Sequence, residues 1–125
     1  MNLRKRINEK LNWLRVKTNN SQEVVLDVLR VLDILETPDK WCRLSMAQDK
    51  DGEPLYNPWD KRAEKFCLLG AMYRAECGVA STYYLNLIGR KSGFKDLSSL
   101  NDKNNYESIK DFLIEFLWAV GYNKI

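Results

Sequence analysis

Apolar residues recur with a helical period over most of the chain and lose that period in one stretch, residues 41–56. Leu3, Ile7, Leu11 and Leu14 are spaced by four, four and three. This predicts an amphipathic helix over residues 2–17 with one apolar stripe. Asn19 and Asn20 break it. Val24, Val25, Leu26, Val28, Leu29, Val31, Leu32, Ile34 and Leu35 follow. They make the next segment apolar almost all round, which predicts a central helix. Asn20 with Glu23 three residues on has the form of a capping box. Thr37-Pro38 closes the helix, because the residue before a proline is pushed out of the helical region. The segment is rich in β-branched residues, but its length argues against a single strand.

Residues 41–56 read as extended. Asp51-Gly52 marks a tight turn, since glycine accepts a positive φ without steric cost. A hairpin or arm is expected there, with Trp41 and Leu44 on its buried side. Asn57, Pro58 and Asp60 carry the marks of a helix start, and Gly78 those of a helix end. A third helix over 57–78 would then display a small-residue stripe of Ala63, Cys67, Gly70, Ala71 and Ala75. Residues 81–91 predict a fourth helix closed near Gly93, with Tyr83, Tyr84, Leu87 and Ile88 as its packing residues. Residues 93–105 read as a loop. The last helix starts from Asn104 with Glu107 three residues on, and carries Tyr106, Ile109, Leu113, Phe116, Leu117 and Val120 up to Gly121. The expected fold is mostly α: one compact domain of four to five helices, with a short extended arm between the second and third. Residues 1–18 form a basic amphipathic helix and residues 19–125 the helical core. The central contact is expected between the second helix and the small-residue face of the third, with Gly70 at a close helix–helix approach.

Composition narrows the chemistry. The 125 residues contain no histidine, which removes Ser-His-Asp and Cys-His catalysis and most zinc enzymes. No apolar run reaches the roughly 18 residues of a membrane span, and the basic start is not followed by an apolar leader. The three cysteines, Cys42, Cys67 and Cys77, lack the spacing of a disulfide framework. They are expected to be reduced in a cytoplasmic protein. Charge is uneven: Arg4, Lys5, Arg6, Lys10, Arg15 and Lys17 stand against Glu9 alone, giving residues 1–17 a net +5 and the remainder −2. A basic end on a slightly acidic body points to an acidic partner.

Four features could carry function. Asp49-Lys50-Asp51-Gly52 resembles a calcium loop, but with Gly52 at the sixth position the first is Ala47 and the twelfth Pro58, so the acidic ligands are missing. A plain turn is expected, with no metal and no cofactor. Cys67 has no base to activate it and lies on the small-residue stripe, so Cys67, Gly70 and Ala71 are expected to be structural. Asn101-Asp102 suits a turn, because both side chains bind nearby amides. It could also form, with Trp41, the polar floor of a ligand site. In the first helix, Leu3, Ile7, Leu11 and Leu14 are expected to dock on the body. Arg4, Lys5, Lys10 and Lys17 then face a partner.

Trp41-Cys42, the Asp51-Gly52 turn, Cys67-x-x-Gly70-Ala71 and Asn101-Asp102 before a closing helix occur in that order. In this the chain resembles a small uncharacterised family found in bacteria and their phages. The resemblance spans about residues 21–120 and holds at Cys67, Gly70, Ala71, Asn101 and Asp102. It departs at Cys42-Arg43-Leu44, where relatives more often carry Thr or Cys, a polar residue and Gly. It implies a fold and no activity. Abundant Lys and Asn and the small size match phage or mobile-element coding. The expected function is a non-enzymatic intracellular interaction protein, a phage or mobile-element accessory that binds a host protein with an acidic surface. Alternatives are a small-molecule or nucleotide-binding module at Trp41, Asn101 and Asp102, and nucleic-acid contact through the basic helix. No membrane association is expected.

Overall fold

The computed structural model describes residues 21–122. The basic segment, with Arg4, Lys5, Lys10 and Lys17, lies outside the described residues. Helix α1 (Ser21–Ile34) is followed by a 3-10 turn (Pro38–Lys40) and three two-residue strands, β1 (Ala47–Gln48), β2 (Pro54–Leu55) and β3 (Lys65–Phe66). Helices α2 (Leu68–Arg74), α3 (Val79–Lys91), α4 (Leu97–Asp102) and α5 (Tyr106–Ala119) complete the order. The fold is thus mostly α, a single compact domain of five described helices with a small sheet between the first and second. No described helix is long and apolar enough to cross a membrane.

One face of α1, formed by Val24, Val28, Val31 and Leu35, is sealed. It packs on α2, α3 and α5, and α5 answers with Ile109, Phe112, Leu113, Phe116 and Leu117, all fully buried. Asp27 sits on the same sealed face at 2% exposure. Its carboxylate accepts from the Gly78 amide at 2.9 Å and the Ser81 hydroxyl at 2.6 Å, and it pairs with Arg30. Gly78 provides no side chain to cap α3, so α1 supplies the capping carboxylate from outside, where the helix dipole favours an anion. Arg30 spans to the other neighbour, donating from Nε to the Ala75 carbonyl at 3.2 Å. The two polar side chains thus tie α1 to the end of α2 and the start of α3.

The arm is the expected hairpin with a third strand added. The sheet order is β2-β1-β3, all antiparallel, with Ala47 opposite both Leu55 and Phe66. At the turn Gly52 adopts φ +84°, and the Asp49 carboxylate accepts from the Asp51 and Glu53 amides. Asp49 is a turn residue here.

Three expectations are corrected. Residues 57–66 are not helical: Asn57 and Asp60 accept from the amides of Trp59 and Arg62, two residues on. That is the Asx-turn alternative to a helix cap. Glu64 and Cys67 then donate to Gln48 and Met46 of the arm, so sheet pairing takes the residues that the helix would have used. Gly78 opens α3 instead of closing α2. The left-handed residue ending α2 is Glu76, at φ +56°, in a Schellman closure with Cys77 N–H on the Met72 carbonyl and Glu76 N–H on Tyr73. Residues 97–102 form a helix, capped by the Asp96 carboxylate on the Ser99 amide at 2.8 Å. Smaller differences follow. The cap of α5 is Asn105, which accepts from Ser108, not Asn104. The packing face of α3 is Ser81, Leu85, Ile88 and Gly89, with Tyr83 outward. Gly93 and Gly121 end α3 and α5 at positive φ, as expected.

Gly70 is a close-approach residue, but what approaches is the arm and not a helix. A Cβ at Gly70 would overlap the Met46 carbonyl oxygen and stand 2.9 Å from its carbon. Both are backbone atoms held by the sheet. Replacing an ordinary helical Gly with Ala stabilises by about 0.5–1 kcal/mol. At Gly70 the sign should reverse: Gly70→Ala is expected to destabilise by at least about 1–3 kcal/mol, the range for overpacking. Denaturant unfolding of the two proteins checks this.

Candidate functional site

Asn101 lies at the end of α4 with no exposed surface. Its Oδ1 accepts from the Trp41 indole N–H at 2.7 Å and from the Leu68 amide at 2.9 Å. Its Nδ2 donates to the Cys42 carbonyl at 3.1 Å and to Asp102 Oδ1 at 3.1 Å. Two acceptor sites and two protons exhaust what a primary amide can offer. Each partner is fixed independently. Leu68 is the first residue of α2, whose free amides need acceptors. Trp41 and Cys42 begin the arm, and the Cys42 amide is itself bonded to Phe66 at 3.1 Å. One side chain therefore joins the arm, the start of α2 and the end of α4.

The expected trio of Trp41, Asn101 and Asp102 is brought together. Trp41 packs at 6.3 Å from the Tyr106 ring, with the Arg43 guanidinium 5.1 Å over its own ring. Tyr106 in turn donates its hydroxyl to the Leu35 carbonyl. Asp102 Oδ1 also accepts from the Leu44 amide at 3.0 Å. Leu44 was expected to be buried. Instead it is 85% exposed and holds φ +68°, a conformation that costs an L-residue roughly 1–2 kcal/mol. The Asp102 carboxylate and the flanking arm over-determine it. Register puts Ala47 opposite Leu55, so Leu44 and Tyr56, which is 95% exposed, leave the sheet at the same end.

Beside this group lies a cavity of about 230 Å³ lined by Leu44, Ser45, Met46, Cys67, Ser98 and Asp102. The Ser45 hydroxyl is buried there without a hydrogen-bond partner. Cys67 is the N-cap of α2, not a mid-helix residue: its Sγ accepts from the Gly70 amide at 3.2 Å. Burial raises its thiol, against the lowering effect of the Gly70 and Leu69 amides. Burial, with Cys67 nearby, pushes Cys42 up to about 11. Burial and then the Asp27 charge push Cys77 up to about 12. These thiols stay protonated at neutral pH, the opposite of an activated nucleophile. Ala71 is fully buried. Among the described residues no group of three or more His, Cys, Asp or Glu side chains is placed to hold a metal ion.

Asp27 was not singled out from sequence, although a signal existed. It falls with Val24, Val28 and Val31 on one helical face, and an acid inside such a face needs a partner. Asn101 shares a face with Leu97 and Leu100 in the same way once residues 97–102 are read as helical. No protein-family model, no curated protein and no solved structure matches this chain.

Asn101→Ala would leave the Trp41 N–H, the Leu68 N–H and the Cys42 carbonyl unpaired. At about 1–3 kcal/mol for each stranded group, a loss of at least about 3 kcal/mol is expected in denaturant unfolding. Asn101→Asp separates the donor half from the acceptor half. A carboxylate keeps both acceptor bonds but faces the Cys42 carbonyl and Asp102. Its folded-state pKa should therefore rise above the unfolded value near 3.9. The variant should regain stability as pH falls and lose it as pH rises through that raised pKa.

Proposed function

We propose that the chain is a non-enzymatic interaction protein that presents Leu44 to an apolar pocket on another protein. The observation that carries this reading is a large apolar side chain held out at positive φ by a carboxylate on a different element. Strain of that kind persists where a rigid surround maintains it, and it concentrates at functional sites. Fixing Leu44 in advance also lowers the ordering cost of binding. Tyr56 at the same end adds an aromatic contact of the type enriched at interfaces. The raised thiols of Cys42 and Cys77 and the absence of histidine weigh against thiolate and imidazole chemistry.

The basic segment suggests the rest of the partner's character. A net +5 over residues 1–17 suits a protein with an acidic surface, with Arg4, Lys5, Lys10 and Lys17 steering the encounter. The small size and the Lys- and Asn-rich composition fit a phage or mobile-element accessory acting on a host protein in the cytoplasm. The small-molecule reading has less support. Trp41 and Asn101 spend their polar atoms on the fold, and the neighbouring cavity falls below the roughly 300–1,000 Å³ usual for ligand sites.

The test is a pull-down of the tagged full chain from lysate of its source cells, with and without nuclease. Capture of a protein that survives nuclease is expected, and loss on nuclease treatment would favour nucleic-acid contact instead. Leu44→Gly should abolish capture while leaving the melting temperature equal or higher, because glycine relieves the left-handed strain. Undiminished capture by Leu44→Gly would exclude Leu44 as the contact.

A further inference from the structure

The cavity beside Leu44 contains polar groups that the fold does not use. The Ser45 Oγ is buried with no hydrogen-bond partner, and Ser45 lines the cavity together with Ser98 and Asp102. A buried hydroxyl without a partner is costly and calls for an explanation. Asp102 commits only one of its carboxylate oxygens to the fold. Oδ1 accepts from the Leu44 amide and from Asn101 Nδ2, and among the described residues no hydrogen bond reaches Oδ2. Nor does Asp102 take part in an ion pair among the described residues. Ser98 and Asp102 stand four residues apart on α4, so they share one helical face.

We infer that this cavity takes a primary ammonium, the end of a lysine side chain on the protein that Leu44 meets; that source of the ammonium rests on the function proposed above. Charge sets the class of ligand. Asp102 is half-buried, and a carboxylate in that setting without a cation beside it favours a positive group. An ammonium brings three protons, and Asp102 Oδ2 with the Ser45 and Ser98 hydroxyls offers three oxygens from residues that line the cavity. A guanidinium suits the site less. Its fork docks on both oxygens of a carboxylate, and Oδ1 already has two donors. A metal ion is disfavoured too, because among the described residues no group of three or more His, Cys, Asp or Glu side chains is placed to hold one.

Size and lining agree with that occupant. About 230 Å³ is small for a free ligand and accommodates one long side chain. Leu44 and Met46 line the same cavity, and apolar walls suit the methylenes of a lysine whose charged end seeks polar groups. The carboxylate that receives the ammonium is the one that holds Leu44 at positive φ. One side chain of the partner thus enters the cavity as Leu44 enters the partner. A single lysine within an otherwise acidic surface satisfies both this cavity and the basic segment.

The test titrates the isotope-labelled full chain with n-butylammonium, a lysine side chain without its backbone, and follows amide chemical shifts at constant ionic strength. The comparison ligands are n-butylguanidinium and n-butanol. Saturable shifts at Leu44, Ser45 and Ser98 are expected with n-butylammonium, in the weak range of so small a probe. Its affinity should exceed that of either comparison ligand about tenfold. Asp102→Asn retains an oxygen for the Leu44 amide but not the charge, and should weaken binding about tenfold or more. Ser45→Ala should weaken it about threefold and leave the melting temperature equal or higher, because the hydroxyl has no partner in the fold. A lack of saturable shifts, equal affinity for n-butanol, or unchanged binding in both variants would overturn the proposal. In the pull-down, n-butylammonium should release the captured protein where sodium chloride at the same concentration does not. Binding without release would refute the assignment to a partner's lysine. The titration needs no partner, so its failure is distinct from undiminished capture by Leu44→Gly.

Discussion

Four hydrogen bonds to one buried amide hold this fold's parts in register. Asn101 takes the indole of Trp41 and the first amide of α2 on its oxygen, and gives its two protons to the Cys42 carbonyl and to Asp102. The arm has only two-residue strands, too short to hold a position alone. Its place is set at one end by Asn101 and in the middle by the contact of the Met46 backbone with Gly70. Asp102 then passes that order on to Leu44. The exposed, strained leucine is a consequence of the hub one residue away.

Asp27 does for the other side of the molecule what Asn101 does for this one. Each is a polar side chain on an otherwise apolar helical face, and each satisfies the free amide of a different helix start: Gly78 for α3 and Leu68 for α2. Such groups stabilise only when fully partnered, since a stranded donor in a low-dielectric interior costs more than the bond contributes. That all-or-none character suits specificity. Apolar contacts between α1 and α5 carry little direction of their own, whereas Asp27 and Asn101 each fix named partners on other elements.

The parts of the fold legible in the sequence were those fixed by local rules. Periodicity gave α1 and α5, Asp51-Gly52 the hairpin, and Gly93 and Gly121 the helix ends. What misled was chemistry with two local outcomes. Asn57 and Asp60 serve helix caps and Asx turns equally, and the choice was made by β1, more than ten residues upstream in the pairing of Glu64 and Cys67. Cys67 and Gly70 were identified as structural, but their roles as cap and as seat for the Met46 backbone depend on an arm whose path no local pattern describes. Grouping Trp41, Asn101 and Asp102 was possible from the chain. That Trp41 and Asn101 spend their polar atoms on one another and on backbone was not, because it depends on α4, six residues long and too short to register as a period.

The most direct test of this account is native-state hydrogen exchange of two indoles in the same molecule. Trp41 donates to Asn101 inside the hub, whereas Trp59 sits half-exposed on a turn against Arg74. If the hub holds the parts together, the Trp41 indole proton and the Leu68 amide should exchange only on global unfolding, with the same protection as the α5 core amides of Phe112 and Phe116. Trp59 should exchange rapidly. A Trp41 indole that exchanges as fast as Trp59 while the α5 amides remain protected would show that the arm opens by itself, and that Asn101 does not bind the fold into one unit.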